Sequence, residues 1–539
     1  MTQARPSNRK LWYALLSIHL LVLAGLLAWV FLQTRPVAMH DLHLAEGEKL
    51  KCVSYAPYHR PGQTPFDLKL VIPREQIAAD LAALAKVTDC VRLYAINQGL
   101  DAVPEIAREV GLKVLLGTWI GFEKEKNAVE LDRAIELANA NADVVRALIV
   151  GNEVLLRRER TEDEMRALIA HAKAHAKVPV TYADVWEFWV RHDSLAKEVD
   201  FVTVHILPFW EDEPVDIEHA LAHVADIRQQ VGKHFAGKPI LIGETGWPSA
   251  GRQREESLPS AVNQARYIRE FVHQAHDQGW DYNLIEAIDQ PWKRALEGTV
   301  GGYWGMLDAT HLQPKFPLAG PVQERSSLLP PLAGALIGAT LCLLLALRHR
   351  DEDAGVRLAA LAAIGAVAGL VAVLHAEHAL LAYRNPLEWG LLGGIAALGS
   401  LSVLLLTQWR GQPLPSAAQA WRMQRETPRA MDCAARLGLL RGVLLFAAAI
   451  AATLLFADPR YRDFPSLLYL VPALMFGALS LRQAQAARAE RICAALVAVC
   501  VVLRWSSEPA NLQAICWLIT GLVFALPVLF NAAGKDQKG

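Results

Sequence analysis

Long apolar runs are missing from one stretch of this chain, roughly residues 37–325, and crowd the remainder. Surplus charge is missing throughout: 54 Lys and Arg against 55 Asp and Glu give a formal net charge of −1. Bulk charge therefore marks no nucleic-acid partner. Cysteine is scarce, seven in 539 residues, with no paired Cys-x-x-Cys spacing, and no metal centre is expected. Only Cys52 and Cys90 fall in the polar stretch, as a disulfide in an oxidising compartment or as two buried thiols. What the chain has in quantity is hydrophobic side chains, 53% of it, with a mean hydropathy of +0.20, enough for several membrane spans.

The first span is Leu11–Leu32, preceded by Arg5, Arg9 and Lys10 and edged by Trp12, Tyr13 and Trp29. It is long enough to cross a bilayer and no clear cleavage site follows it. Residues 1–36 therefore read as a cytoplasmic N-terminus and an anchor helix. Seven more spans are expected near 328–347, 357–382, 387–407, 437–456, 467–481, 492–505 and 514–531. Eight crossings put both termini in the cytoplasm. Basic residues agree: Arg348/Arg350, Arg410/Arg422/Arg425/Arg429, Arg482/Arg488/Arg491 and Lys535/Lys538 fall in inner loops, whereas outer loops hold little beyond Arg384, Arg460 and Arg462. Residues 37–325 then lie outside the cytoplasm, and 326–539 form an all-α polytopic transmembrane domain. His375, Glu377 and His378 fall near an outer membrane face, where interfacial placement accounts for them. Ionisable residues are otherwise scarce in the spans, so transport by these helices alone is not indicated. The longest inner loop, 408–436, is too short for a sizeable cytoplasmic domain, so any synthase or export machinery is a separate partner.

Within 51–289, β-rich apolar runs recur at 51–58, 90–95, 113–120, 146–154, 178–184, 201–209, 239–247 and 282–289. Amphipathic stretches such as 74–87 and 260–279 separate them. Eight buried strands alternating with helices predict an α/β fold, a (β/α)8 TIM barrel. The competing open sheet lacks its Gly-x-Gly-x-x-Gly after the first run. Barrel sites gather at the C-terminal strand ends, where Tyr55, Arg92, Tyr94, Trp119, Asn152, Glu153, Asp184, His205, Glu244 and Asp289 fall.

Glu153 ends the fourth run and Glu244 the seventh, which face each other across a closed barrel. Two carboxyl groups flanking a glycosidic bond are the minimum for its cleavage, one donating a proton and one attacking the anomeric carbon. Asn152 suits a hydrogen bond to the sugar 2-hydroxyl. Gly151, Gly243 and Gly246 permit close approach of backbone or substrate. Of eight tryptophans in this section, about half are expected in the core; Trp119, Trp247 and Trp292, at strand ends, are candidates for stacking on sugar.

VGNEV (150–154) and GETGWPSAG (243–251) together resemble glycoside hydrolase family 17, the β-1,3-glucanase and glucanosyltransferase family. Supporting stretches are SYAPY (54–58), VRLY (91–94), PVTYADVW (179–186), VHILPFW (204–210) and EAIDQPWK (286–293). The resemblance implies Glu153 as acid/base, Glu244 as nucleophile, Lys293 in the site, retention on β-1,3-linked glucan and no cofactor. One departure stands out: Gln290 occupies a place where relatives commonly carry an additional acid.

Water or a sugar hydroxyl can resolve a glycosyl-enzyme, so the motifs leave hydrolysis and transfer open. A multi-span anchor suits remodelling of nascent glucan, and bacterial membrane-anchored members of the family look like glucanosyltransferases. The reading is a glucanosyltransferase of the bacterial inner membrane, its barrel periplasmic and its partners β-glucan and the lipid bilayer. The alternatives are an endo-β-1,3-glucan hydrolase and a non-catalytic glucan-binding or export protein.

Overall fold

The computed structural model describes residues 8–42, 44, 48–348, 354–482 and 484–530. They form two compact units, residues 36–322 and the described parts of 1–35 with 323–539. Of the residues used for topology, Arg5, Arg350, Lys535 and Lys538 lie outside the described residues.

Helix α1 (Arg9–Gln33) belongs to the helical unit. The strands that follow are β1 (Val53–Ser54), β2 (Cys90–Arg92), β3 (Lys113–Thr118), β4 (Val145–Asn152), β5 (Val180–Val185), β6 (Val202–His205), β7 (Ile240–Thr245) and β8 (Asp281–Leu284). All pair in parallel and in chain order, and Val53 against Leu284 closes the barrel. Around them run α2 (Arg74–Leu84), α3 (Val103–Val110), α4 (Lys124–Ala140), α5 (Glu162–His175), α6 (Trp186–Arg191), α7 (Ala220–His234), α8 (Ala261–Asp277) and α9 (Arg294–Gly301). Local chemistry sets their ends: Thr161 and Glu164 cap α5 reciprocally, and Ser260 caps α8 through the amide of Asn263. In α8, Val262, Ala265, Ile268, Val272 and Ala275 recur at helical spacing and are buried.

Two apolar clusters divide β2, β3, β4, β5 and β7 by the period of two. Val53, Val91, Val114, Val180 and Val204 join the large cluster under the helices. Cys52, Cys90, Leu115, Ala147, Ile149, Ala183 and Leu241 form a second cluster that fills the barrel interior. Cys52 and Cys90 are joined by a disulfide there, which settles the open alternative and ties β1 to β2. The same alternation carries Arg92 and Tyr94, two and four residues past Cys90, up the interior to the mouth.

The helical unit continues with α10 (Leu329–Ala346), α11 (Ala354–Ala382), α12 (Pro386–Leu406), α13 (Ala417–Glu426), α14 (Cys433–Ala457), α15 (Ser466–Arg482), α16 (Arg488–Ser506) and α17 (Leu512–Leu529). A helix stands at each of the eight expected spans. Among the described residues six of these, α1, α10, α11, α12, α14 and α17, are long and apolar enough to cross a membrane. Helix α15 is apolar but shorter, and α16 carries Arg488, Glu490, Arg491 and Arg504. Helices α10 and α11 meet along Gly334, Gly338, Gly365 and Gly369; a Cβ at Gly338 would stand 2.0 Å from the carbonyl oxygen of Gly365. Helices α14 and α16 are joined by a buried ion pair, Arg441 to Glu490 at 2.7 Å. The other Glu490 oxygen accepts the amides of Ala417 and Ala487.

Candidate active site

The end of β4 is built to turn a carboxylate into the mouth. Gly151 takes a φ of +83°, and a Cβ there would meet Val154 at 2.6 Å, so only glycine fits. Glu153 follows with φ +51°, a left-handed backbone that costs a non-glycine residue about 1 kcal/mol or more. Its amide still bonds the Ala183 carbonyl of β5, at 2.8 Å, which fixes the turn. The register also shifts between Ile149 and Asn152, and again where His205 pairs with Glu244. Gly243 allows that second approach: a Cβ would lie 2.4 Å from Thr203 and 3.2 Å from His205. A Cβ at Gly246 would meet the Ile285 carbonyl at 2.2 Å. The room at these two glycines is thus taken by protein rather than by substrate.

Glu153, His205 and Glu244 each bring a ligand-type atom within 4.8 Å of the others. Buried Arg92 holds the group together. One guanidinium nitrogen donates to Glu244 Oε1 (3.1 Å) and the Gly243 carbonyl (2.7 Å), with His205 Nε2 at 3.4 Å. The other donates to Asn152 Oδ1 at 2.5 Å. Asn283 donates to Ser54 (2.8 Å), Ser54 lies 2.8 Å from the Tyr94 hydroxyl, and Tyr94 donates to Glu244 Oε1 at 2.8 Å. Burial and the Glu244 charge push the Tyr94 phenol well above its ordinary range, so it stays a donor. These contacts on Glu244 fall on Oε1.

His205, fully buried, places Nδ1 3.0 Å from Glu153 Oε1 and Nε2 3.7 Å from Glu244 Oε1. Burial pushes the Glu153 carboxyl up, but His205, with Arg157 and Arg92, outweighs it and holds Glu153 below the usual carboxylate range. The Arg92 guanidinium supplies this trio with a positive charge against Glu244. The chain also has His-x-x-x-His spacing at His171/His175 and His219/His223, yet among the described residues no further group of three ligands forms.

Around this centre the expected residues sort by exposure. Trp119 is 41% exposed after β3, with the Arg157 guanidinium 4.5 Å over its ring. Trp292 is half-buried after β8. Lys293 pairs with Glu286 at 2.9 Å. Burial pushes Glu286 up to about 7 against the pull of Lys293. Burial lowers Lys293, yet Glu286 and Glu297 hold it above its ordinary value.

Four expected contacts do not reach the mouth. Tyr55 is buried and donates to Asp80 at 2.8 Å. Trp247 is buried against Phe209 and Tyr267, and its indole donates to the Leu258 carbonyl, so it offers no stacking face. Asp289 is buried and bonded to Lys315 (2.7 Å) and the Gly305 amide. Asp184 is buried beneath the mouth and accepts from the Tyr182 hydroxyl and the Val185 amide. His205, likewise buried, touches both glutamates rather than the open cleft. Sequence reasoning missed Glu286, Glu297, Arg157 and Asn283. Glu286 lies inside the quoted EAIDQPWK stretch, where its lysine partner seven residues on was the available signal. Burial pushes Glu297 up, Lys293 pulls it down, and the charges of Glu153 and Glu244 push it up again.

An eight-stranded parallel barrel with one glutamate just after β4, another near the end of β7 and a buried arginine beside them has the pair of facing carboxylates that glycoside cleavage requires. Residues 52–305 match the family described as the BtgE/BtgC glycoside hydrolase domain. Relatives include the probable glucan endo-1,3-beta-glucosidase btgC of Aspergillus clavatus, 27% identical over 282 residues, which are 46% of this chain and 39% of that protein. The glucan 1,3-beta-glucosidase of Arthroderma benhamiae is 29% identical over 247 residues, 42% of this chain and 78% of that one. A solved family 17 beta-1,3-glucanosyltransferase from Rhizomucor miehei is 26% identical, with a TM-score of 0.44 over 50% of this chain and 98% of its own. This chain spans about two fifths of the btgC relative's length.

Proposed function

We propose that the barrel is a retaining β-1,3-glucan-active enzyme and works as a glucanosyltransferase. The spacing of the two glutamates carries this reading. Carboxylate oxygens within 4.8 Å of each other fit the roughly 5–5.5 Å of retaining sites and fall short of the roughly 6.5–9.5 Å of inverting ones. Glu244 Oε2, opposite the anchored Oε1, attacks the anomeric carbon as the glycosidic C–O bond breaks, and Glu153 gives its proton to the leaving oxygen. In the free site Glu153 is in its basic form; enclosing two carboxylates under a sugar raises it enough to take up that proton. In the second half Glu153 takes the proton of an acceptor hydroxyl, whose oxygen displaces Glu244. The names of the fungal relatives support glucan with 1,3-β linkages as the substrate.

Two partly exposed tryptophans support transfer. Trp119 follows β3, beside the strand of Glu153, and Trp292 follows β8, beside that of Glu244. A glucan lying across the pair meets one ring on each side, so an acceptor sugar is held where water would otherwise enter. The Cys52–Cys90 disulfide supports an oxidising compartment, and the apolar helices with Arg9, Lys10, Arg348 and Arg410 on predicted inner ends support a bacterial cytoplasmic membrane with the barrel outside. Incubating the full chain in detergent with short β-1,3-gluco-oligosaccharides tests the reading. Products longer than the substrate uphold transfer. Shorter products alone establish the hydrolase, and binding without turnover establishes the non-catalytic alternative.

A further inference from the structure

Gln290 sits where an acid was expected, and it is fully buried. Its Nε2 donates to the carbonyls of Ala56 (2.9 Å), in the loop after β1, and Ile288 (3.1 Å). Its Oε1 accepts the indole N–H of Trp292 at 2.8 Å. An ionised acid cannot take this place. It has no hydrogen to give, so both carbonyls would be left facing an anion in a buried site. The bond acts on a half-buried ring whose aromatic neighbours are perpendicular to it and which has the Lys293 ammonium 5.9 Å from its centroid. Trp292 meets Phe66 at 5.6 Å and 78° and Tyr58 at 6.4 Å and 87°, and Phe66 is itself well exposed. None of these contacts is a hydrogen bond, and the single polar atom of the ring is the one that Gln290 holds.

We infer that Gln290 is a positioning residue: it locks the Trp292 indole as the sugar-stacking wall on the Glu244 side of the cleft. It thereby sets how tightly a β-1,3-glucan chain is held there. The inference rests on the proposed function, because a stacking wall needs a sugar to stack on it. Gln290 touches neither glutamate, so its effect falls on substrate affinity and on chain-length preference rather than on bond breaking.

The test uses the full chain in detergent with β-1,3-gluco-oligosaccharides of graded length. Gln290→Met removes donors and acceptor at similar size, and Trp292→Phe keeps a ring but removes its N–H. Each is expected to raise KM roughly five- to tenfold while kcat changes less than about twofold. The double variant is expected to be no worse than the weaker single one, since both break the same Gln290–Trp292 bond. Gln290→Glu is expected to be impaired at neutral pH and to recover as the pH falls, when a protonated carboxyl regains an O–H for Ala56. An unchanged KM in a folded Gln290→Met chain, a fall confined to kcat, or additive losses would overturn the inference while leaving the enzyme reading intact. If Gln290→Met fails to fold, Trp292→Phe and Gln290→Glu decide by the same KM and pH criteria. A wild-type chain that neither binds nor turns over these oligosaccharides overturns both readings; binding without turnover moves the comparison to Kd, with the same outcomes.

Discussion

Arg92 is the side chain on which the candidate site depends most. It carries the only guanidinium within hydrogen-bond reach of Glu244 among the described residues, and it binds the two residues flanking the acids, Asn152 and Gly243. Arg92→Met would leave Glu244 buried against His205 with its charge uncompensated. The expected cost is about 3–5 kcal/mol of stability, read from chemical unfolding of the full chain, together with loss of turnover. Glu244→Gln keeps the shape and the Tyr94 bond but removes the attacking oxygen anion. It is expected to lower turnover by at least about a thousandfold in assays on β-1,3-gluco-oligosaccharides, with the unfolding midpoint little changed. Activity retained in that variant would displace Glu244 from the nucleophile's place.

At the scale of elements, the Cys52–Cys90 bridge joins two neighbouring strands across 38 residues of sequence. Closing a loop of that length restricts the unfolded chain by about 4 kcal/mol in the chain-entropy picture. Replacing both cysteines by serine is expected to lower the stability of the barrel by about 2–4 kcal/mol in denaturant titrations, and wild type under reducing conditions should behave alike. The strands show what can be read without coordinates. Apolar runs located all eight, because strands buried on both faces need them. The runs overstate the ladder, however: β1 is only Val53–Ser54, with the Tyr55 amide still bonded to the Arg92 carbonyl and no strand beyond it. Glu153, Glu244, Arg92 and Tyr94 were legible because strand ends face the site. Tyr55 and Trp247 were misjudged because sequence gives a side chain's place along a strand, and not which neighbour fills the space beside it. The bulges at β4 and between β6 and β7 break the alternation at the residues where the inward face mattered most.

For the whole molecule, the unusual feature is how many carboxyls the barrel buries at raised values. Glu286 is pushed up to about 7, and Asp184 and Asp289 to about 6, in each case chiefly by burial. Each therefore binds a proton in the folded chain at a pH where the unfolded chain has released it, and folding gains as the pH falls through that window. Stability is expected to rise between about pH 7 and pH 5, by a few kcal/mol in total. Below about pH 4 it should fall, as Glu153, Glu162 and Asp200, all held low by their partners, take up protons. Thermal midpoints of the full chain across this range check the sign. A midpoint that declines steadily from pH 7 to pH 5 would contradict it.

The Arg441–Glu490 pair has a bearing on how the chain is made. Helix α16 is too polar to qualify as a membrane span by its own composition, and Glu490 contributes to that. Helix α14 emerges from the ribosome about fifty residues earlier, carrying the arginine that answers it. Until α16 arrives, Arg441 is an unanswered cation on a nascent helix; once it arrives, each supplies the countercharge the other needs. Synthesis order thus makes α14 the host and α16 the guest: a chain ended between them would keep the buried arginine without the carboxylate that answers it.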